Sequence, residues 1–458
     1  MTTTDTPKTD AVPWHLSGNN APVFDEVTIE DLEVTGAIPP ELRGRYFRNG
    51  ANPRSGTSAH WFLGDGMIHG IELAGGSATW YRNRYVRTPC YEHPESDRVA
   101  MMIDPATGQM DHNVSVANTH VISHGGRILA LEEGSFPYVM TPELDTVGPW
   151  NFDGALEGAM TAHPKVCPVT GELLFFGYAN LAPPYLTYHR ADASGRLVQS
   201  SPITVNGSTM IHDFSVTRTR TIFMDLPAVF DLEAAMNGGM PIRWDDDYPS
   251  RFGVLPRDGD DAAVQWFDVE PCYVFHTLNA HDDGDRVIVR GCRLPELWRD
   301  TSAMEMGEAP DPSAGPRLYE WTLDLASGSV SERFLDDRPC DFPRVADGDV
   351  GARERYGYVL SFDMHRPELI KHDLETATSE SHHFPEGHTP GEPSFVAAAE
   401  AGNPDDGWLM TFVHDAGTDT SYLALLDGSD FAGAPVAEIH LPRRVPTGFH
   451  GGWIPDPA

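Results

Sequence analysis

Along most of this chain the hydrophobic positions fall in short β-branched and aromatic runs cut by turn residues, and stretches at helical period are few. SATWYRNRYVR follows Gly75-Gly76, RILALEE follows Gly125-Gly126, and ELLFFGYANL follows Thr170-Gly171. TIFMDL, RVIVRGC, RLYEWTLDL, RYGYVLSF and WLMTFVHD repeat the pattern further on. The reading is an all-β protein, and so many strands in one open sheet would leave unprotected edges. Radial repetition of four-stranded blades, a β-propeller, removes that problem, although no WD or kelch signature is present. One helix is expected near Val229 to Met236, where VFDLEAAM precedes Gly238-Gly239. Residues 296–316 and 377–392 read as loops over one face. Residues 1–22 are polar and rich in Pro and Thr, and are expected to form a flexible tail on one catalytic domain over residues 23–458.

Composition narrows the class. The 458 residues are 40% hydrophobic, enough for a large core, and 43 glycines with 38 prolines suit many tight turns. The opening residues lack a basic start followed by an apolar run, and no stretch nears the roughly 18 apolar residues of a membrane span. A cytoplasmic protein is the expectation. Cys90, Cys167, Cys272, Cys292 and Cys340 are far apart and form no CxxC, so they read as reduced, buried thiols. A net charge of -36 excludes nucleic acid as a partner class, since phosphate binding needs a positive patch. It also disfavours electrostatic docking on anionic lipid.

Several chemistries are absent. Neither HExxH nor GxSxG occurs, which sets aside zincin proteases and nucleophile-elbow hydrolases. None of the lysines (Lys8, Lys165, Lys371) follows the glycine that a Walker A motif requires. Gly64, Gly66 and Gly70 give GxGxxxG, a near miss for the dinucleotide fingerprint, and lie between strand-like runs as a turn.

Histidine is where chemistry gathers. Of 20 histidines, four sit among apolar residues at expected strand ends: His163 in MTAHPK, His212 in TMIHDF, His276 in YVFHTLNAH and His450 in PTGFHGGW. An imidazole in such surroundings is costly to bury without a partner. The first three are separated by 49 and 64 residues, and His276 from His450 by 174, close to three such steps. In a propeller, steps of whole blades bring the inner strand ends to one axis.

These four segments resemble, in order and context, the iron-ligand segments of the carotenoid cleavage oxygenase family. The likeness runs through GRYFRNGANP (Gly44 to Pro53), HWFLGDGMIHGI (His60 to Ile71), NTHVISHGGRILALEEGSFPY (Asn118 to Tyr138) and TAHPKVCPVTGEL (Thr161 to Leu173). RFGVLPR, GEPSFV and LPRRVPTGFHGGW complete it. The resemblance implies a seven-bladed β-propeller with a dome of loops and helix over an axial metal. It implies one Fe(II) per chain, held by the neutral imidazoles of His163, His212, His276 and His450, with two positions left for dioxygen or water. It also implies carboxylates that fix the ring tautomers, and Glu133 and Glu392 match two of them. The third departs: where the family has Glu-Phe-Pro-Arg, this chain has Asp341-Phe342-Pro343-Arg344. The shorter aspartate reaches its histidine only through a backbone shift or a bridging water, so the change is either tolerated or weakens iron retention.

The same resemblance implies cleavage of a carbon–carbon double bond by dioxygen in a lipophilic conjugated substrate, first a carotenoid or apocarotenoid. Thr119 matches a threonine whose methyl shields one open iron position. Phe275 and Phe342, with Met210 and Phe214, either line an apolar substrate tunnel or pack the core. Glu132 stands where carotenoid cleavers carry an aromatic residue and stilbene- and isoeugenol-cleaving relatives a lysine. Facing the tunnel it would bind a hydroxylated end group; the alternative is that it turns to solvent. Cleavage of a stilbene or phenylpropanoid alkene is the second reading, and a catalytically silent binding propeller the third. Family members dip an apolar patch into lipid, so weak peripheral membrane contact is compatible with this chain, with VFDLEAAM a weak candidate.

Overall fold

Glycine pairs fold the apolar runs back on themselves. Gly75 (φ 59°) and Gly76 (φ 84°) link strand Gly66–Ala74 to Ser77–Tyr85, and Gly125 (φ 55°) and Gly126 (φ 73°) link His120–His124 to Arg127–Leu131. Two successive positive φ values match the twist of a two-residue hairpin, and glycine adopts them without steric cost. The structure, a computed structural model, describes residues 12–457 apart from 97, 105, 108, 179, 181, 232–233, 235–240, 300–310 and 364–365.

Such hairpins build a seven-bladed β-propeller. Blade one carries Gly44–Ala51, Gly66–Ala74 and Ser77–Tyr85, with Gly451–Pro455 on its axial side and Thr28–Ile29 outside. Blades two, three and four open at His120–His124, Lys165–Val166 and Ser215–Val216, and each runs through four antiparallel strands. Blades five and six share one seven-stranded sheet. The long strand Val330–Arg344 closes blade five and, after a register shift between Asp341 and Arg344, opens blade six. In blade seven His388–Pro390 and Ser394–Ala397 both pair with Gly407–Asp415, and Glu33–Gly36 pairs with Ala437–Leu441 at the opposite edge.

The two chain ends therefore close the ring twice. Arg48 pairs with Gly451 in blade one, and Glu33 with His440 in blade seven, so both sheets combine segments from opposite ends of the chain. Burial follows position within a blade. Leu173–Gly177 is buried throughout, between neighbouring blades, whereas Leu197–Ile203 at the rim alternates half-buried and exposed positions. Phe176, Tyr188, Phe223, Phe252 and Trp321 form one core joining blades three to five.

Three expectations need correction. The start of VFDLEAAM is not helical: Val229 lies in a strand, Ala228–Phe230, paired with Ile242–Trp244, while Ala234 is helical and residues 232–233 and 235–236 lie outside the described residues. Residues 377–392 contain Thr378–His383, the outer strand of blade six, and His388–Pro390; the former is polar because it faces solvent, which in sequence reads as loop. Of the expected tail, Trp14–Leu16 and Gly18–Asn20 are short 3-10 turns packed on the propeller: His15 is buried, Trp14 contacts Trp61, and Asn19 O accepts from Thr447 N. Residues 1–11 lie outside the described residues. The described part of 296–316 holds one 3-10 turn, Pro312–Ala314, and no strand. Among the described residues no helix is long and apolar enough to cross a membrane.

Candidate metal centre

Each of the four histidines stands at or near the axial strand of its blade. His163 lies two residues before Lys165–Val166, His212 three before Ser215–Val216, and His450 directly before Gly451–Pro455. His276 lies within Tyr273–Asp283, where the register shifts between Val274 and Thr277 and frees its side chain from the regular alternation. Their ligand atoms lie within 4.8 Å of one another. Nε2 of His163 is 3.0 Å from that of His212, which is 3.3 Å from that of His276.

The far side of three rings is anchored by carboxylates. His276 Nδ1 donates to Asp341 Oδ1 at 2.9 Å, His450 Nδ1 donates to Glu392 Oε1 at 2.9 Å, and Glu133 lies against His212 Nδ1. A neutral ring with its proton on Nδ1 presents Nε2 as a bare lone pair. The facing Nε2 atoms of His212 and His276 therefore have no proton to share, and such converging lone pairs fit a first-row divalent cation. Burial pushes His163 and His450 well below the ordinary histidine range, and the neighbouring imidazoles lower them further, so both rings are neutral. Burial acts the same way on His276, but the Asp341 carboxylate outweighs it and leaves that ring raised.

Several residues of the site carry no signal in the sequence reading. Asp213 accepts from Thr277 N at 2.8 Å and from Lys165 Nζ at 2.7 Å, tying blades three, four and five just beyond the four histidines. The Tyr178 hydroxyl donates to Glu133, and burial, then that carboxylate, raises its pKa well above the tyrosine range. Glu392 also accepts from Gly451 N at 3.0 Å and lies 3.8 Å from Arg344. His120, buried beside the cluster, is pushed down to about 3 by burial and then by His450, and stays neutral. The adjacency of Asp213 to His212 and the Lys165 of TAHPK were the only local hints.

The positions expected to face substrate separate. Thr119 is half-buried, its carbonyl accepting from His450 N and its hydroxyl donating to Asn118 Oδ1 at 2.9 Å. Phe275 meets His212 edge-on at 5.3 Å, and Phe342 stacks on His276 at 5.2 Å. Phe214 takes the core alternative: it is fully buried against Phe176 and Phe223, and Met210 packs in the same cluster. Glu132 does not turn to solvent. It is 6% exposed, ion-paired with Arg98 and bonded to Gly134 N.

Two environments flank the cluster. On the axis a cavity of about 410 Å³ has a mixed lining, with Lys165, Asp213, Arg344 and Glu392 among apolar residues such as Val121, Val216 and Leu278, and Phe342 alone of the expected tunnel residues appears on it. Elsewhere, Trp61, Phe62 and Phe449 contact one another, Phe62 meets Trp298, and Trp298 meets Phe275. Phe449 and Phe275 directly precede His450 and His276, so this aromatic group adjoins the site. HWF at residues 60–62 was legible as a motif but not as a wall of the site.

An axial four-histidine cluster backed by carboxylates on a seven-bladed propeller defines a class of metal-dependent oxygenase. The chain belongs to the carotenoid cleavage oxygenase family: the family described as retinal pigment epithelial membrane protein (RPE65) matches residues 20–455. It is 37% identical over 501 residues to the carotenoid cleavage oxygenase of Mycobacterium tuberculosis, covering 96% of this chain and 97% of that one. The lignostilbene dioxygenase of Pseudomonas brassicacearum superposes with a TM-score of 0.87 at 31% identity, covering 99% of this chain and 100% of that one. Cobalt-substituted Synechocystis ACO superposes with a TM-score of 0.83 at 26% identity, covering 95% and 97%.

Proposed function

We propose that this protein is a non-haem Fe(II) dioxygenase that cleaves a carbon–carbon double bond of a carotenoid or apocarotenoid to two carbonyl products. The iron, one per chain, would be held by His163, His212, His276 and His450, with Glu133, Asp341 and Glu392 fixing their rings. The observation that carries this reading is the convergence of four imidazole nitrogens, three of whose rings are backed by carboxylates on the far side. Bound iron supplies the activation of dioxygen. The chain's own groups orient and exclude. Thr119, one residue before the axial strand of blade two, meets His450 through its carbonyl, and its methyl would shield one open iron position; Trp61, Phe62, Phe275 and Trp298 offer an apolar wall for a polyene. No general acid or base is required, so the protein's share is to position one bond and keep water from it. Five unpaired cysteines support a cytoplasmic location, with peripheral membrane contact limited to substrate uptake.

A second reading, cleavage of a stilbene or phenylpropanoid alkene, is favoured by the pair of half-buried Arg98 and buried Glu132 beside Glu133, which offers polar groups to a phenol. Iron-loaded protein incubated aerobically with β-apo-carotenals, resveratrol and isoeugenol separates the two by product mass. The first reading predicts paired carbonyl fragments from the apocarotenals with matching oxygen uptake. Turnover of resveratrol or isoeugenol alone would replace it with the second, and protein that retains no iron after reconstitution would replace both with a binding module.

A further inference from the structure

The carboxylates at the metal cluster are unevenly shared. Among the described residues they stand at His212, His276 and His450, and none pairs with the ring of His163. What holds this fourth ligand is a fifth histidine. His120 opens the axial strand of blade two, is 8% exposed, and its Nδ1 hydrogen-bonds the carbonyl of Ala162 at 2.8 Å. A carbonyl only accepts, so the proton sits on Nδ1 of His120. Ala162 directly precedes His163, so this bond fixes the peptide that aims the ligand, while Thr161 Oγ1 accepts from His163 N at 3.1 Å on the other side. The His120 ring also fills the space between two ligands, its centroid 5.9 Å from that of His163 and 5.4 Å from that of His450. The same strand start reaches His450 through the backbone, Thr119 O accepting from its N–H at 3.0 Å. Asn49 braces the segment from behind, donating to Ala117 O and His120 O.

We propose that His120 is the positioning residue for His163, doing through the Ala162 carbonyl what carboxylates do for the other three ligands. The inference rests on the four-histidine metal reading. Ligands without their hydrogen-bonded supports lose metal affinity by roughly 10–100-fold in other sites. The bond, not the ring's bulk alone, is the active feature, because an apolar ring of the same size would leave a buried carbonyl unpaired.

Three variants test this: His120→Phe, which keeps the volume and removes the donor; His120→Asn, whose amide N–H replaces Nδ1–H; and His163→Ala as the control. Each is assayed for iron per chain after desalting, for the rate of iron release to a chelator, and for the visible spectrum of the cobalt-substituted protein. The expected result is release about 10–100-fold faster from His120→Phe with a changed cobalt spectrum, and release within about threefold of wild type from His120→Asn. If His120→Phe does not fold, His120→Leu removes the same donor in a smaller volume. Unchanged release and spectrum in His120→Phe or His120→Leu, or equal impairment in His120→Asn, overturns the proposal while leaving the metal site intact. Wild type that holds no iron, or His163→Ala that keeps it, overturns the metal reading and this inference with it.

Discussion

Blade six reaches His276 with an aspartate and blade seven reaches His450 with a glutamate, and both bonds measure 2.9 Å. The missing methylene is made up by the backbone. Asp341 lies at a register shift in Val330–Arg344, and the next residue, Phe342, takes φ 53°, which an aromatic side chain adopts at a cost of roughly 1–2 kcal/mol. Phe342 N also donates to Asp341 Oδ1 at 2.9 Å, so the kink and the carboxylate hold each other. Glu392, between two short strands, is held by polar partners instead: His450 Nδ1, Gly451 N and the nearby Arg344 guanidinium. One task is met by backbone strain in one blade and by a hydrogen-bond network in the next. The lesson is that a shortened side chain need not weaken a contact when the strand carrying it is irregular.

Removing each carboxylate should expose that difference. Glu392→Ala strands two buried donors and removes the carboxylate beside Arg344, so iron affinity should fall by at least about 100-fold, with a stability loss of about 3 kcal/mol. Chelator competition and urea unfolding measure both. Asp341→Ala should lower iron affinity by about 10–100-fold but cost less stability, because it also releases the kinked backbone. Equal losses in the two variants would mean that the strain at Phe342 is not tied to the carboxylate. Asp341→Glu inserts a methylene where the gap is already closed; thermal melts should show a loss of about 1–3 kcal/mol while iron is retained. The smallest effect is expected from Phe342→Gly, whose relaxed φ and lost stacking on His276 should nearly cancel, leaving stability within about 1 kcal/mol of wild type. A larger loss would show that the ring contact, and not the backbone, dominates there.

The four clustered histidines and the three carboxylates beside them, Asp341 included, were legible because each lies in a compact local motif, such as FHGGW or ALEEG. The hairpins were legible too, since Gly75-Gly76 and Gly125-Gly126 have the one conformation that such turns need. The double closure was not. Pairing of Arg48 with Gly451 or of Glu33 with His440 leaves no local trace, because either strand alone looks like any edge. Buried polar partners escaped for a related reason. Nothing local marks Lys165, Asp213 or His120 as partners; only the fold brings Lys165 to Asp213 and His120 to the Ala162 carbonyl. Glu132 illustrates the limit well: its partner Arg98 comes from a separate short helix, Arg98–Met102, that sequence pattern had not marked.

The central claim is that four imidazoles on the propeller axis hold a single iron. Crystals of protein reconstituted with ferrous iron, measured at the iron absorption edge, test it directly through anomalous scattering. The account predicts one peak per chain, within bonding distance of Nε2 of His163, His212, His276 and His450. No peak at that position, or a peak on other residues, would contradict it.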